Sequence, residues 1–127
     1  MLILFLQRAL LRYLSIAAAL MTLGIIFSLF VVGTQPVAVN LIPSPWDKLA
    51  HGVLFSLLTC GIGIASGLRG RRMWVIAATT ALTVGLLDEY HQLYLPGRQA
   101  SLSDLGADFA GIIAGTALLA VGRVGQR

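Results

Sequence analysis

Charged positions are so sparse along this chain that the apolar runs between them can be read directly. No charge lies between Arg12 and Asp47. A bilayer core takes about 20 mostly apolar residues per helix, so a helix over about 13–33 fits, ended by Thr34, Gln35 and Pro36. A second run, about 49–68, is neutral apart from His51. Two later runs, Met73 to Leu87 and Phe109 to Gly122, are too short alone. They reach spanning length only as about 74–94, which takes in Asp88, Glu89 and His91, and about 104–122, which takes in Asp104 and Asp108. The pattern predicts an all-α, integral membrane four-helix bundle, a single domain over 1–127. The first run is too long for a signal-peptide core of about 7–15 residues, and no A-x-A site follows it, so it is read as a retained span.

Composition agrees with lipid contact. Of 127 residues, 57% are hydrophobic and 11% charged, and the mean hydropathy is +0.88. A chain this small has too much surface for its volume to hide that apolar excess inside itself. An ordinary soluble enzyme and a disordered chain are excluded. The net charge of +4 suggests nucleic acid only until the charges are placed. Arg8, Arg12, Arg69, Arg71, Arg72, Arg123 and Arg127 fall on one side of a four-helix count. The bias of Lys and Arg toward inner loops makes that side cytoplasmic, both termini included. The basic residues thus set topology, and no nucleic-acid face is expected.

The other side collects all five acids and both histidines, with Lys48 and Arg98 as its only strong cations. Three helices contribute. Asp47 and His51 are spaced i, i+4, Asp88 aligns with His91 and Gln92, and Asp104 aligns with Asp108. Glu89 points about 100° away from Asp88 around its helix. Carboxylates just inside a bilayer are costly, so they should face the bundle or a wet cavity. The candidate binding residues are therefore Asp47, Lys48, His51, Asp88, Glu89, Gln92, Arg98, Asp104 and Asp108. Lys48 and Arg98 suit phosphate or carboxylate, and the acids suit hydroxyls and amines. This points first to binding of a polar headgroup, which needs no cofactor.

An enzyme is the alternative. His51 or His91 would act as general base, oriented by Asp47 or Asp88, with Glu89 as a further catalytic candidate. A divalent metal, Zn or Mn, is a third use for His51, His91, Asp88, Asp104 and Asp108, although no compact H-E-x-x-H pair is present. Transport is disfavoured because the polar residues stop at one face. Gly111/Gly115 and Gly63/Gly67 form G-x-x-x-G pairs that permit close helix approach, within the chain or in an oligomer. Trp46 and Tyr94 read as headgroup-belt residues, Ser101 or Ser103 as the cap of the last helix, and Cys60 as a structural thiol.

Several motifs then fall in a familiar order. Asp47-Lys48, His51 and Phe55 resemble the D-K-x-x-H-x-x-x-F signature of VanZ-like membrane proteins. Asp88-Glu89, Gln92 and Pro96-Gly97-Arg98 resemble that family's D-E-x-x-Q and arginine segment. Asp104, Asp108 and Gly111 resemble its D-x-x-x-N-x-x-G segment, with Asp108 in place of the usual Asn. The resemblance covers about 46–115, and the first helix carries no signature. It implies a multi-pass protein of the bacterial cytoplasmic membrane, and the charge bias turns its polar site outward. The family takes its name from an accessory factor in glycopeptide resistance. The expected ligand is an anionic or prenyl-linked lipid headgroup of a cell-envelope precursor, or a glycopeptide. The enzymatic alternative is a hydrolase or transferase acting on a lipid phosphate or glycolipid.

Overall fold

The computed structural model describes residues 1–122; Arg123 and Arg127 lie outside the described residues. Helix α1 (Leu2–Phe27) runs on through a π-helical turn, Ser28–Val32. A connector with a short 3-10 turn, Pro36–Ala38, leads to α2 (Trp46–Ala65), α3 (Gly70–Gln92) and α4 (Leu102–Val121). No strand occurs among the described residues.

The helix ends differ from the apolar windows for simple reasons. α1 starts at Leu2 rather than near Tyr13, because Arg8 and Arg12 stay exposed on its surface. A charge ends an apolar run without ending a helix. α2 stops at Ala65, short of Leu68, and Gly67 beyond its cap has φ +65, a left-handed conformation that closes helices. Gly67 therefore stands off the helix and faces open space, so Gly63 and Gly67 do not form a helical pair.

α1 with its π turn, α2 and α4 are each long and apolar enough to cross a membrane. At 20 residues each, α2 and α4 are about 30 Å long, the thickness of a hydrocarbon core. They run parallel: Lys48 meets Asp104 near their starts, and Gly63 packs against Leu119 near their ends. α3 is the only helix between them in the chain, so it must cross back. Its 23 residues suffice, and its charges do not face lipid. Val75, Ile76, Leu86 and Leu87 are exposed, whereas Asp88, Glu89 and Gln92 are buried. Thr79 and Thr83, also outward, donate their hydroxyls to the carbonyls of Val75 and Thr79, which removes the cost of showing them to lipid.

The α2–α4 seam is the tightest in the fold. A Cβ on Gly111 would overlap the Gly52 carbonyl oxygen. One on Gly115 would lie 2.7 Å from the Ser56 oxygen and 2.8 Å from Thr59 Cβ. Gly111 and Gly115 thus serve close approach inside this chain, where van der Waals packing rather than hydrophobic burial holds helices together. Cys60, half-buried, donates its thiol to the Gly115 carbonyl at 3.5 Å. α1 lies antiparallel along α2, with the Ser15 hydroxyl donating to the Ala65 carbonyl at 3.3 Å. The core consists of Ile25, Phe55, Leu58, Ala81, Val84 and Ile112, with Met73, Ala77 and Leu119 as a second cluster. Phe55 sits one turn below His51, their rings nearly parallel at 6.4 Å. This apolar layer closes the underside of one polar end.

Candidate functional site

The polar end is assembled from six chain segments: the π turn of α1, the connector that follows it, the first turns of α2, the last turn of α3, the loop after α3 and the first turns of α4. They surround a cavity of about 390 Å³. Asp47, His51, Asp88, Gln92, Arg98 and Asp104 line it on the polar side, and Leu29, Val32, Leu41, Ile42 and Leu54 on the apolar side.

Each charged group has a defined partner. Lys48 Nζ donates to Asp47 Oδ2 at 2.8 Å and also bonds Asp104 Oδ1, tying the starts of α2 and α4 together. His51 Nδ1 lies 2.7 Å from Asp108 Oδ1. With Asp108 as a carboxylate, which only accepts, Nδ1 is the donor of this pair. His51 Nε2 is then the nitrogen left to the cavity. Asp108 is completely buried, and its second oxygen has no hydrogen-bond partner; it faces Gly85, where a Cβ would lie 3.3 Å away. Asp88 is 3% exposed. One of its oxygens accepts from Gln92 Nε2 at 3.0 Å, as their i, i+4 spacing allows, and the other has no donor.

Arg98 is placed by a tight turn. Arg98 N–H donates to the Leu95 carbonyl at 3.2 Å, with Pro96 second in the turn and Gly97 third at φ +75. That is type II geometry, which requires a positive φ at the third residue. The turn brings the guanidinium to the end of α1. There Nη2 donates to the Gly33 carbonyl at 2.7 Å and to Ala38 O at 3.3 Å. Both are carbonyls that no helix satisfies. Arg98 is thus tied to backbone through Nη2, while its buried Nε has no acceptor.

Glu89 and His91 lie apart from the cavity. Glu89 Oε2 accepts from Ser101 N–H at 2.8 Å, and Ser101 caps α4 by accepting from Ser103 N and Asp104 N. Glu89 therefore secures the loop that aims α4. His91 stacks on Phe30 of the π turn, centroids 5.9 Å apart. Among the described residues, no three His, Cys, Asp or Glu side chains converge in a group that could hold a metal ion.

Asp-Lys-x-x-His thus lies on α2, Asp-Glu-x-x-Gln on α3 and Asp-x-x-x-Asp on α4, and a family model, VanZ/LLP1, matches the chain over residues 2–123. The chain belongs to the VanZ/LLP1 family. The match also takes in α1, which carries no motif of its own, and this VanZ-like chain is accordingly a membrane protein. No curated protein and no solved structure matches the chain.

Sequence reasoning missed the connector in this VanZ-like site. Gly33, Ala38, Asn40, Leu41 and Ile42 close one side of the cavity. Asn40 holds φ +60 there, a conformation that Asn tolerates better than most residues. The connector carries no charge and no motif. Its one signal is its length, a neutral stretch too polar to belong to either flanking helix.

Proposed function

We propose that this VanZ-family protein holds a polar headgroup in its cavity, at the outer face of the bacterial cytoplasmic membrane. The headgroup belongs to a lipid-linked cell-envelope precursor or to a glycopeptide. The observation that carries this reading is the cavity's mixed lining: carboxylates and an imidazole on one side, aliphatic side chains on the other, at the end of membrane-spanning helices. A lipid presents that same division where its headgroup meets its chains. Arg8, Arg12, Arg69, Arg71 and Arg72, all exposed at the opposite end, support an orientation with the cavity outside, since Lys and Arg favour inner loops. An accessory role in glycopeptide resistance fits that position.

Native mass spectrometry of the protein extracted from its own membranes tests the proposal. A defined lipid or precursor should co-purify, and Ala50→Trp, which fills the cavity from α2, should release it without unfolding the bundle. An identical lipid profile in the folded variant would sink the reading.

The His51–Asp108 pair favours a second reading. A carboxylate that fixes the tautomer of a histidine and leaves Nε2 free is the arrangement of an oriented general base. It suits a hydrolase or transferase on a lipid phosphate or glycolipid, with Asp108 in the orienting role. Total lipid extract incubated with wild-type protein should then yield a product that His51→Asn does not form. Unchanged lipid would exclude turnover.

A further inference from the structure

The charges at the polar end do not balance, and the imbalance identifies the ligand's chemistry. Asp47, Asp88, Asp104 and Asp108 stand against Lys48 and Arg98. Lys48 is fully engaged inside the protein and Arg98 in part. Lys48 bonds Asp47 and Asp104, and Arg98 donates to the carbonyls of Gly33 and Ala38. The cavity is left with a formal −2 if His51 is neutral, and −1 if it is protonated. Negative charge near a bilayer's edge is unfavourable without a partner.

Unused acceptors mark where that partner would sit. Asp88 lines the cavity and is 3% exposed, yet one of its oxygens accepts no hydrogen bond. Asp47, also lining the cavity, has a buried Oδ1 with no donor. Asp104 has its second oxygen free of any hydrogen bond on the same wall. Arg98 also lines this wall; its Nη2 is taken by backbone carbonyls, and its buried Nε has no acceptor. Three carboxylates outnumber that one guanidinium, so a phosphate or carboxylate entering this space would meet net negative charge. A donor-rich cation would find acceptors on α2, α3 and α4.

We propose that the cavity takes a primary ammonium group, carried by a lipid headgroup or by an amino sugar, with Asp88 and Asp104 as its principal acceptors. Any phosphate on the same ligand would lie outside, at the membrane surface. The proposal rests on the headgroup reading above and narrows it. Charge-assisted hydrogen bonds are the strong ones, so the ammonium should dominate selectivity.

The full chain in maltoside micelles can be titrated with short-chain phosphatidylethanolamine, with its N-acetylated form and with phosphatidylglycerol. Glucosamine against N-acetylglucosamine forms a second arm. The amine lipid should bind about tenfold or more tightly than either of the others, and Asp88→Asn should remove most of that preference. Preference in the lipid arm assigns the ammonium to a lipid, and preference in the sugar arm assigns it to a soluble amino sugar; either supports the proposal. If all three lipids bind equally, headgroup binding stands and the ammonium assignment falls, as it does if phosphatidylglycerol binds best. If nothing binds and no lipid co-purifies, both fall. The wild-type comparison decides the matter even if Asp88→Asn does not fold.

Discussion

His51 satisfies only one oxygen of Asp108, and the other is buried without a hydrogen-bond partner. Removing the imidazole would leave a completely buried carboxylate with nothing to neutralise it. We expect His51→Ala to cost about 3–5 kcal/mol of stability, measured by unfolding in mixed micelles. Adding Asp108→Leu should recover most of that loss, because an apolar pair in place of a buried polar one is often neutral or better. A double variant no more stable than His51→Ala would mean that the pair is not the unit we take it for. The sequence brings these residues to one end of the bundle but does not pair them. Spacing on a single helix suggests Asp47 for His51, since i, i+4 neighbours share a face. The observed partner comes from another helix, because α2 and α4 approach so closely that Asp108 reaches the ring while Asp47 is drawn to Lys48. Which side chain wins such a contest depends on interhelical distance, which no spacing rule contains.

Among the elements, the α2–α4 seam and the connector carry separate expectations. Gly111→Val should destabilise the bundle by about 1–3 kcal/mol through overpacking, since the new side chain meets the backbone of Gly52 rather than a side chain that can move. Gly24→Ala, with open space around its Cβ, should leave the unfolding midpoint unchanged or slightly raised. Equal losses at both sites would remove the close seam as the cause. Arg98→Ala should loosen the connector. Amides of Ala38, Val39 and Leu41 should exchange about tenfold or more faster, the factor expected from losing a charge-assisted hydrogen bond, while amides in the middle of α4 stay protected. The helices themselves are legible from apolar runs, and so is the G-x-x-x-G contact. The ends of the helices and the connector are not. Hydropathy reports where lipid begins, whereas helices end where capping and left-handed residues allow.

At the scale of the whole molecule, the separation of charge between the two ends of the bundle is legible once the helices are counted, for the described residues. Arg8, Arg12, Arg69, Arg71 and Arg72 mark one end, and the acids, with Lys48 and Arg98 among them, the other. What the count cannot supply is the internal use of Lys48 and Arg98, which look available to an anion in the sequence and are engaged in the fold. α3 shows why the assembly matters as a whole. To lipid it presents hydrocarbon and hydroxyls turned back on its own backbone, and to its neighbours it presents Asp88, Glu89 and Gln92. Such a helix has little reason to leave the translocon alone, since each carboxylate near the centre of a lone helix costs about 2.5–3.5 kcal/mol on insertion scales and less toward its ends. Its entry into the membrane should wait for partners synthesised on either side of it. A nascent chain stopped before Leu102 should leave the end of α3 accessible to a membrane-impermeant label from the cytoplasmic side, and a chain extended through α4 should not. Biogenesis of this protein would then be cooperative, with the polar end acting as the group that makes three helices insert together.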